Sequence, residues 1–296
     1  IEGDMTISLF PATDKIRDLL NEQLAALETR LGADFLCQHG PIVDGNETLF
    51  LRIVEQIANE KKHDTLYVCL TTTGGSATAV ERYVNIIRGN YKEVNFIIPD
   101  YAYSAGTIYC MSGDNILMDY SSVLGPIDPQ VPNKEGRYVP ALGYLDKVKE
   151  LLDKAQAGTI SQAEFLILKD LDLAELRRYE QAKELTIDLL KKWLVKYKFK
   201  NWVNHQTDEN LKGQEVTDAQ KIKRAEEIAD KLSDNKIWKS HSRPINMEAL
   251  RDIRLVITDY GEDRQLQKLI RDYHYLVIDF IKMQNFNGML HTRRFL

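Results

Sequence analysis

Two short runs in this chain hold the residue types of acyl chemistry: Thr72-Thr73-Gly74-Gly75-Ser76 and Tyr103-Ser104-Ala105-Gly106-Thr107. A serine hydroxyl can attack a carbonyl, and backbone N–H groups can hold the negative oxygen that forms on attack. Ser104 stands where a strand and loop pass into a helix-forming segment, a place that favours negative charge. The Ala105 N–H follows it directly, and Gly106 permits close approach of backbone or substrate. Each run has a plainer meaning by itself: serine caps helices well, and paired glycines close tight turns. The pairing favours the chemical reading. The second glycine N–H at one strand end and the N–H after the serine at the next can point into one crevice. No Gly-Lys-Ser/Thr follows the glycines, so the run is not a Walker loop, and the third glycine of a dinucleotide fingerprint is missing.

The elements that must hold these turns are legible in the pattern. Thr65–Thr71 is too apolar for a one-sided strand and fits a sheet covered on both faces; Val94–Ile98 is the next strand. Ala77–Arg88 reads as the crossover helix, Ser104–Gly113 as a short buried helix and Asn115–Met118 as a brief strand. Before them, Asp14–Leu31 has helical spacing with Gly32 as a stop. Ala33–Gln38 reads as a first strand, and Asn46–Glu60 as an amphipathic helix with Asn46 at its N-cap. Alternation of strand and helix predicts an α/β fold with a mostly parallel sheet. After about Pro140 the character becomes helical: Asp146–Lys154, a long charged helix over Gln162–Trp202, and Thr217–Leu232 with a Thr217/Gln220 capping box. Met247–Asp252 reads as a short helix, Leu255–Ile257 as strand-like, and Arg264–Lys282 as a late amphipathic helix. Gln284–Leu296 has no clear period. The expected organisation is an α/β core over 5–145, a helical insert over 146–235, a return to the core over 236–262, and a C-terminal helix and tail over 263–296. Residues 1–4 precede Met5 and read as an added remnant outside the fold.

With 296 residues, 44% of them apolar, the chain can build one large α/β domain or a core with a helical appendage. A formal net charge of −5 argues against a nucleic-acid partner. Cys37, Cys69 and Cys110 lie in apolar contexts without metal-ligand spacing and read as reduced core thiols of a cytoplasmic protein. No stretch is long and apolar enough to predict a membrane span, and no signal-peptide pattern is present. No histidine pair has metal-ligand spacing, so no metal is expected.

The order TTTGGSATAVERY, a strand, YSAGTIYCMSGD and then SSVLGPIDPQ resembles the Clp-protease/crotonase superfold. Within it, the chain resembles the serine dehydrogenase proteinase family, relatives of signal-peptide peptidase A. The likeness is strongest over 65–130 and returns at Trp238–Ile245 (WKSHSRPI); residues 150–235 and the C-terminal tail match only in helical character. The resemblance implies a Clp/crotonase-like core and ATP-independent hydrolysis of peptide bonds. It implies Ser104 as nucleophile, with the N–H groups of Gly75 and Ala105, at the Gly74-Gly75 turn, holding the oxyanion. It also implies a homo-oligomer, in which the serine would be sequestered. The family name refers to dehydrogenation, but the sequence offers no nicotinamide or pyridoxal site, and no cofactor is expected.

A serine hydroxyl needs a base. In Clp proteases a histidine follows the serine by about one strand and turn. Here that stretch reads Ser121-Ser122-Val123-Leu124-Gly125-Pro126, with glycine or proline at the histidine's place, a departure from the Clp triad. The favoured substitute is His241, which falls near the place of the Clp triad aspartate, with Asp128 of GPIDPQ orienting the imidazole. The alternative is a lysine base as in signal-peptide peptidase A relatives: Lys147, with Lys149 behind it, either of which would need burial to lose its proton near neutrality. His39, His63, His205, His274 and His291 read as lying in unrelated contexts. The helical segment around Leu166–Trp202 is expected to pack on the core or on another subunit, with a lid over the serine as the lesser reading. Two competing functions stay open: a scaffold or binding protein that kept the fold and lost its base, and a crotonase-like acyl-CoA enzyme using the oxyanion hole without the serine.

Overall fold

A computed structural model describes residues 10–132, 136, 138–205, 210–238, 240 and 243–296. The α/β core begins with α1 (Pro11–Leu31), β1 (Asp34–His39), α2 (Glu47–Asn59), β2 (Thr65–Thr71), α3 (Ala77–Asn90) and β3 (Glu93–Ile97). It continues through β4 (Tyr101–Ala102), α4 (Ala105–Cys110), β5 (Asn115–Met118) and β6 (Val123–Leu124). A hairpin of β7 (Gln130–Pro132) and β8 (Tyr138–Pro140) leads into helices α5 (Ala141–Gln156), α6 (Gln162–Lys169), α7 (Leu173–Trp193) and α8 (Asp218–Leu232). The chain then forms α9 (Asn235–Trp238), α10 (Met247–Asp252), β9 (Thr258–Asp259), α11 (Arg264–Gln284) and β10 (Met289–His291).

The main sheet has the order β10-β1-β2-β3-β5-β9, parallel throughout except for β10, which runs antiparallel to β1. Alternation along the strands sends side chains to two cores. Leu36, Leu66, Val68, Leu70, Val94 and Phe96 face one side and pack with α2, α3, α4, α7, α8 and α10. There Phe50 stacks on Tyr83 with ring centroids 4.1 Å apart. Phe35, Cys37, Cys69, Ile97 and Leu117 face the other side and pack against α1 and α11. This two-sided cover explains the near-continuous apolar strands. Each fully buried aliphatic or aromatic side chain contributes about 1.5–3 kcal/mol through removal from water. The three cysteines are buried free thiols.

Differences from the sequence-based expectation have local causes. The helix expected over 162–202 is broken, because Asp172 Oδ1 accepts from the N–H groups of Ala174 and Glu175 (2.9 and 3.2 Å) and starts α7 anew. Beyond Trp193 the helix widens into a π-helical turn at Leu194–Lys198, where Phe199 N–H donates to Leu194 O at 2.8 Å. Asn46 occupies the N-cap position of α2 without a side-chain cap bond; Glu47 Oε2 accepts from Gly45 N–H at 2.9 Å there. The strand expected at Leu255–Ile257 does not form there; the pairing falls just after it, at Thr258–Asp259, with Leu117 opposite Thr258 and Met118 opposite Asp259. The aperiodic tail contributes β10, with Cys37 opposite His291 and His39 opposite Met289. The Thr217/Gln220 capping box is present.

Candidate active site

The two glycine and serine turns meet because β4 continues the sheet beside the end of β2. Thr72 N–H donates to Tyr101 O, and Tyr103 N–H donates to Thr72 O, both at 3.0 Å. β4 in turn pairs with β6, and Leu124 of β6 exchanges backbone bonds with Ile245. The diglycine run leaving β2 therefore lies against the start of α4. A methyl group on Gly74 (φ +96°) would fall 2.6 Å from Tyr103 O, 2.9 Å from Ser104 Cβ and 3.2 Å from the Ala105 nitrogen. On its other side the turn is stitched to the loop after β1: Ile42 N–H donates to Gly74 O (2.8 Å) and Ser76 N–H donates to Ile42 O (2.9 Å). A methyl on Gly75 (φ +141°) would overlap that Ile42 oxygen at 1.9 Å. Only glycine fits either place. Gly74 N–H is taken by Thr72 Oγ1 at 3.0 Å, whereas the N–H groups of Gly75 and Ala105 have no acceptor among the described residues.

Ser104 adopts φ 53°, ψ −115°, a backbone conformation rare for a side chain and costing about 1–3 kcal/mol. Strained strand-to-helix turns of this kind lift a nucleophile out of its surroundings. Its neighbours hold it there. Gly106 N–H donates to Tyr103 O at 2.8 Å, and Ile108 N–H to Ser104 O at 3.2 Å. Thr107 Oγ1 lies 2.9 Å from Ala102 O and 2.8 Å from Gly125 O, and accepts from Gly125 N–H at 3.1 Å. Ser104 is 6% exposed and makes no side-chain cap bond to α4, so its hydroxyl is not consumed in capping. Thr72 and Thr107, both buried, brace the site, and nothing in their residue type announces that role. Their signal is position, two residues before the first glycine and three after the serine.

The groups considered as base lie in different settings. His241 is outside the described residues. Asp128, 2% exposed, sits at the head of α5, where its Oδ1 accepts from Leu142 N–H at 3.0 Å. Burial pushes its carboxyl up to about 6; the Leu142 bond opposes the rise and the nearby Asp146 charge adds to it. No described histidine is hydrogen-bonded to it. Lys147 projects from α5 with its side chain 61% exposed and its Nζ 3.0 Å from both Glu150 oxygens; Lys149 is exposed as well. Neither lysine has the desolvated setting that a neutral amine requires.

Two histidines read as unrelated come together at the C-terminal edge of the sheet. The rings of His39, ending β1, and His274 of α11 are 6.3 Å apart, and His274 Nε2 is 3.9 Å from Asp100 Oδ2. Burial first, and then the His274 charge, lower the pKa of His39, while Asp100 acts in the opposite sense. Residues 39, 100 and 274 are too distant in sequence for spacing to announce this cluster. Among the described residues no His, Cys, Asp or Glu group is placed to hold a metal ion, and no helix is long and apolar enough to cross a membrane.

Two uncharacterized proteins of Methanocaldococcus jannaschii are each 32% identical to the chain, over 115 and 120 residues. The matches cover 38% and 40% of this chain and 37% and 36% of those proteins, so the chain spans little more than a third of the length of these relatives. Among solved structures, a serine-to-alanine mutant of the 1510-N membrane-bound stomatin-specific protease matches at 21% identity, covering 46% of this chain and 69% of that one, with a TM-score of 0.31. A lysine-to-alanine mutant of the same protease, in complex with a substrate peptide, matches at 20% identity, covering 41% and 57%, with a TM-score of 0.31. Residues 42–214, more than half of the chain, match the ClpP-like SDH-type serine proteinase family. That span takes in the diglycine turn, the strained serine and the α5–α7 helices, and the chain belongs to this family of ClpP-like serine proteinases.

Proposed function

We propose that the protein is an ATP-independent serine peptidase. Ser104 Oγ attacks the carbonyl carbon of a peptide bond, and the resulting oxyanion is held by the N–H groups of Gly75 and Ala105. Collapse of the tetrahedral intermediate expels the amine, which takes up the proton removed from the serine. Water then hydrolyses the acyl-enzyme and restores the hydroxyl. The observation that carries this reading is the strained Ser104 backbone packed directly on Gly74, next to two amide N–H groups without acceptors among the described residues. In this reading His241 is the base and the buried Asp128 orients it, its carboxyl raised toward neutrality by burial. Lys147 would replace it only if another chain stripped water from its ammonium group. A homo-oligomer fits this need and would also screen the serine from folded bystanders. Three buried free thiols suit a reducing, cytoplasmic setting.

The test is labelling by a fluorophosphonate probe. The wild-type protein is expected to label, Ser104→Ala to lose all labelling, and His241→Ala to slow it by about 100-fold or more. Absence of labelling in a folded sample would instead favour the second reading, a scaffold that kept the fold and lost its base. The exposed, ion-paired Lys147 is the observation on that side.

A further inference from the structure

The end of the sheet away from Ser104 carries a group of cations that peptide cleavage does not use. A cavity of about 400 Å³ opens beside the starts of β2 and β3, and Lys61, Arg88, Lys92, Lys196 and Tyr197 line it. That volume is within the range of small-molecule sites. β2 alone puts roughly 20 Å of extended chain between this end and the diglycine turn. Arg88 anchors the cavity. Its guanidinium donates to Asp114 Oδ2 at 2.7 Å and, through Nε, to Ser112 O at 3.2 Å, and both charged side chains are buried. The same guanidinium lies 3.9 Å from the centre of the Tyr197 ring, which pins the π-helical turn Leu194–Lys198 against the end of α3. That turn brings Lys196 to the cavity wall.

The ion pairs leave positive charge over. Asp64 is shared by Lys61 Nζ (2.7 Å) and Lys92 Nζ (2.6 Å), and Lys61 Nζ also reaches Asn90 O at 3.5 Å. Asp114 is shared by Arg88 and Lys200, with Lys198 Nζ 3.5 Å from its backbone oxygen. Burial lowers the Lys198 pKa to about 8, which leaves it cationic at neutrality. Among the described residues no carboxylate lies within 4 Å of Lys196, whose Nζ is 5.1 Å from the centre of the Tyr197 ring. Six cationic side chains, at 61, 88, 92, 196, 198 and 200, thus share the carboxylates of Asp64 and Asp114, in a chain whose formal charge is −5. The other acids nearby are turned elsewhere. Glu60 pairs with Arg294, and Glu93 accepts from Asn95 on the face of β3 opposite Val94 and Phe96.

We propose that this cavity binds a small molecule carrying linked phosphoryl groups, either a free oligophosphate or the tail of a nucleotide. Ammonium groups act as point charges toward phosphoryl oxygens and hold them without a fixed fork geometry. Lys61, Lys92 and Lys196 come from three separate segments, the loops before β2 and β3 and the π-helical turn. A single phosphate would meet only part of that set, whereas linked ones reach across it. The surplus of cations matches a multiply charged anion, and a monocarboxylate would leave most of it unbalanced. None of these residues belongs to the serine turn, so the site stands apart from the peptidase reading.

The experiment is isothermal titration calorimetry of the whole protein, in magnesium-free buffer, with orthophosphate, tripolyphosphate, ATP and hexaglutamate. Tripolyphosphate is expected to bind at least about 10-fold more tightly than orthophosphate or hexaglutamate, and added salt should weaken it. Lys92→Gln and Lys196→Gln should each weaken it about 3-fold and the double variant about 10-fold, the loss of one exposed charge contact apiece. Lys92→Gln leaves Asp64 its Lys61 partner, and Lys196 has no ion pair to lose among the described residues, so both variants should keep the wild-type Tm. Lys268→Gln, an exposed lysine of α11, should leave the affinity unchanged. ATP binding as tightly as tripolyphosphate assigns the nucleotide tail, and weaker ATP binding assigns the free oligophosphate. No detectable binding of either, hexaglutamate binding as tightly, an affinity indifferent to the double variant, or an equal loss in Lys268→Gln overturns the site.

Discussion

Replacing Gly74 with alanine tests the idea that the diglycine turn and the serine turn are one object. The added methyl would fall 2.6 Å from Tyr103 O and 2.9 Å from Ser104 Cβ, both well inside normal contact, at φ +96°. The neighbours cannot yield as a flexible side chain would, because one atom is backbone and the other belongs to a strained residue. Strain of about 1–3 kcal/mol from the left-handed backbone adds to about 1–3 kcal/mol from overpacking, for a total of about 2–6 kcal/mol. For a chain of this size that lowers Tm by roughly 5–15 °C. Relief requires the two turns to separate, which moves the Ala105 N–H away from the Gly75 N–H and slows fluorophosphonate labelling by about 100-fold. Gly89→Ala is the control: it lies inside α3 with nothing within 4 Å of a new methyl and should gain about 0.5–1 kcal/mol. Thermal unfolding and labelling rate are measured on both proteins. A Gly74→Ala protein with unchanged Tm and wild-type labelling would refute the reasoning.

Asp128→Asn should show a pH signature. A folded-state carboxyl raised to about 6 contributes stability below its unfolded value near 3.8 and loses that contribution as pH rises through 6. The amide can still accept from Leu142, so the variant should be more stable than wild type by about 2–3 kcal/mol at pH 8 and equal to it at about pH 3, measured by urea unfolding. Arg293→Ala removes the partner of two buried carboxylates, Glu28 Oε1 at 2.7 Å and Asp34 Oδ1 at 2.9 Å, and should cost about 3–5 kcal/mol by the same measurement.

The parts of the fold that a short window specifies were legible in the sequence. β2 and β5 carry unbroken apolar runs, and their bounds are those the pattern predicts. The turns around Gly74 and Ser104 follow from glycine and serine at strand ends. What sequence could not supply depends on partners far along the chain. β10 has no period of its own and becomes a strand because β1 offers it an edge. The break at Asp172 was hidden by continuous helical spacing on both sides, although an aspartate can cap as readily as it can sit on a solvated face. At the site, the serine's strain could not be read, because serine is ordinary at a helix start and its φ of 53° is a property of the folded backbone that residue type does not announce. The exposure of Lys147 was equally hidden, since its place on α5 does not say which way that helix faces.

The pairing of β1 with β10 joins segments about 250 positions apart. While the protein is being synthesised at roughly 5–20 residues per second, β1 leaves the ribosome about 10–50 s before its outer neighbour. For that interval one margin of the growing sheet offers bare amide and carbonyl groups to any passing strand. The nascent chain is therefore most exposed to mispairing before it is complete, and a holding chaperone would have its greatest effect in that interval.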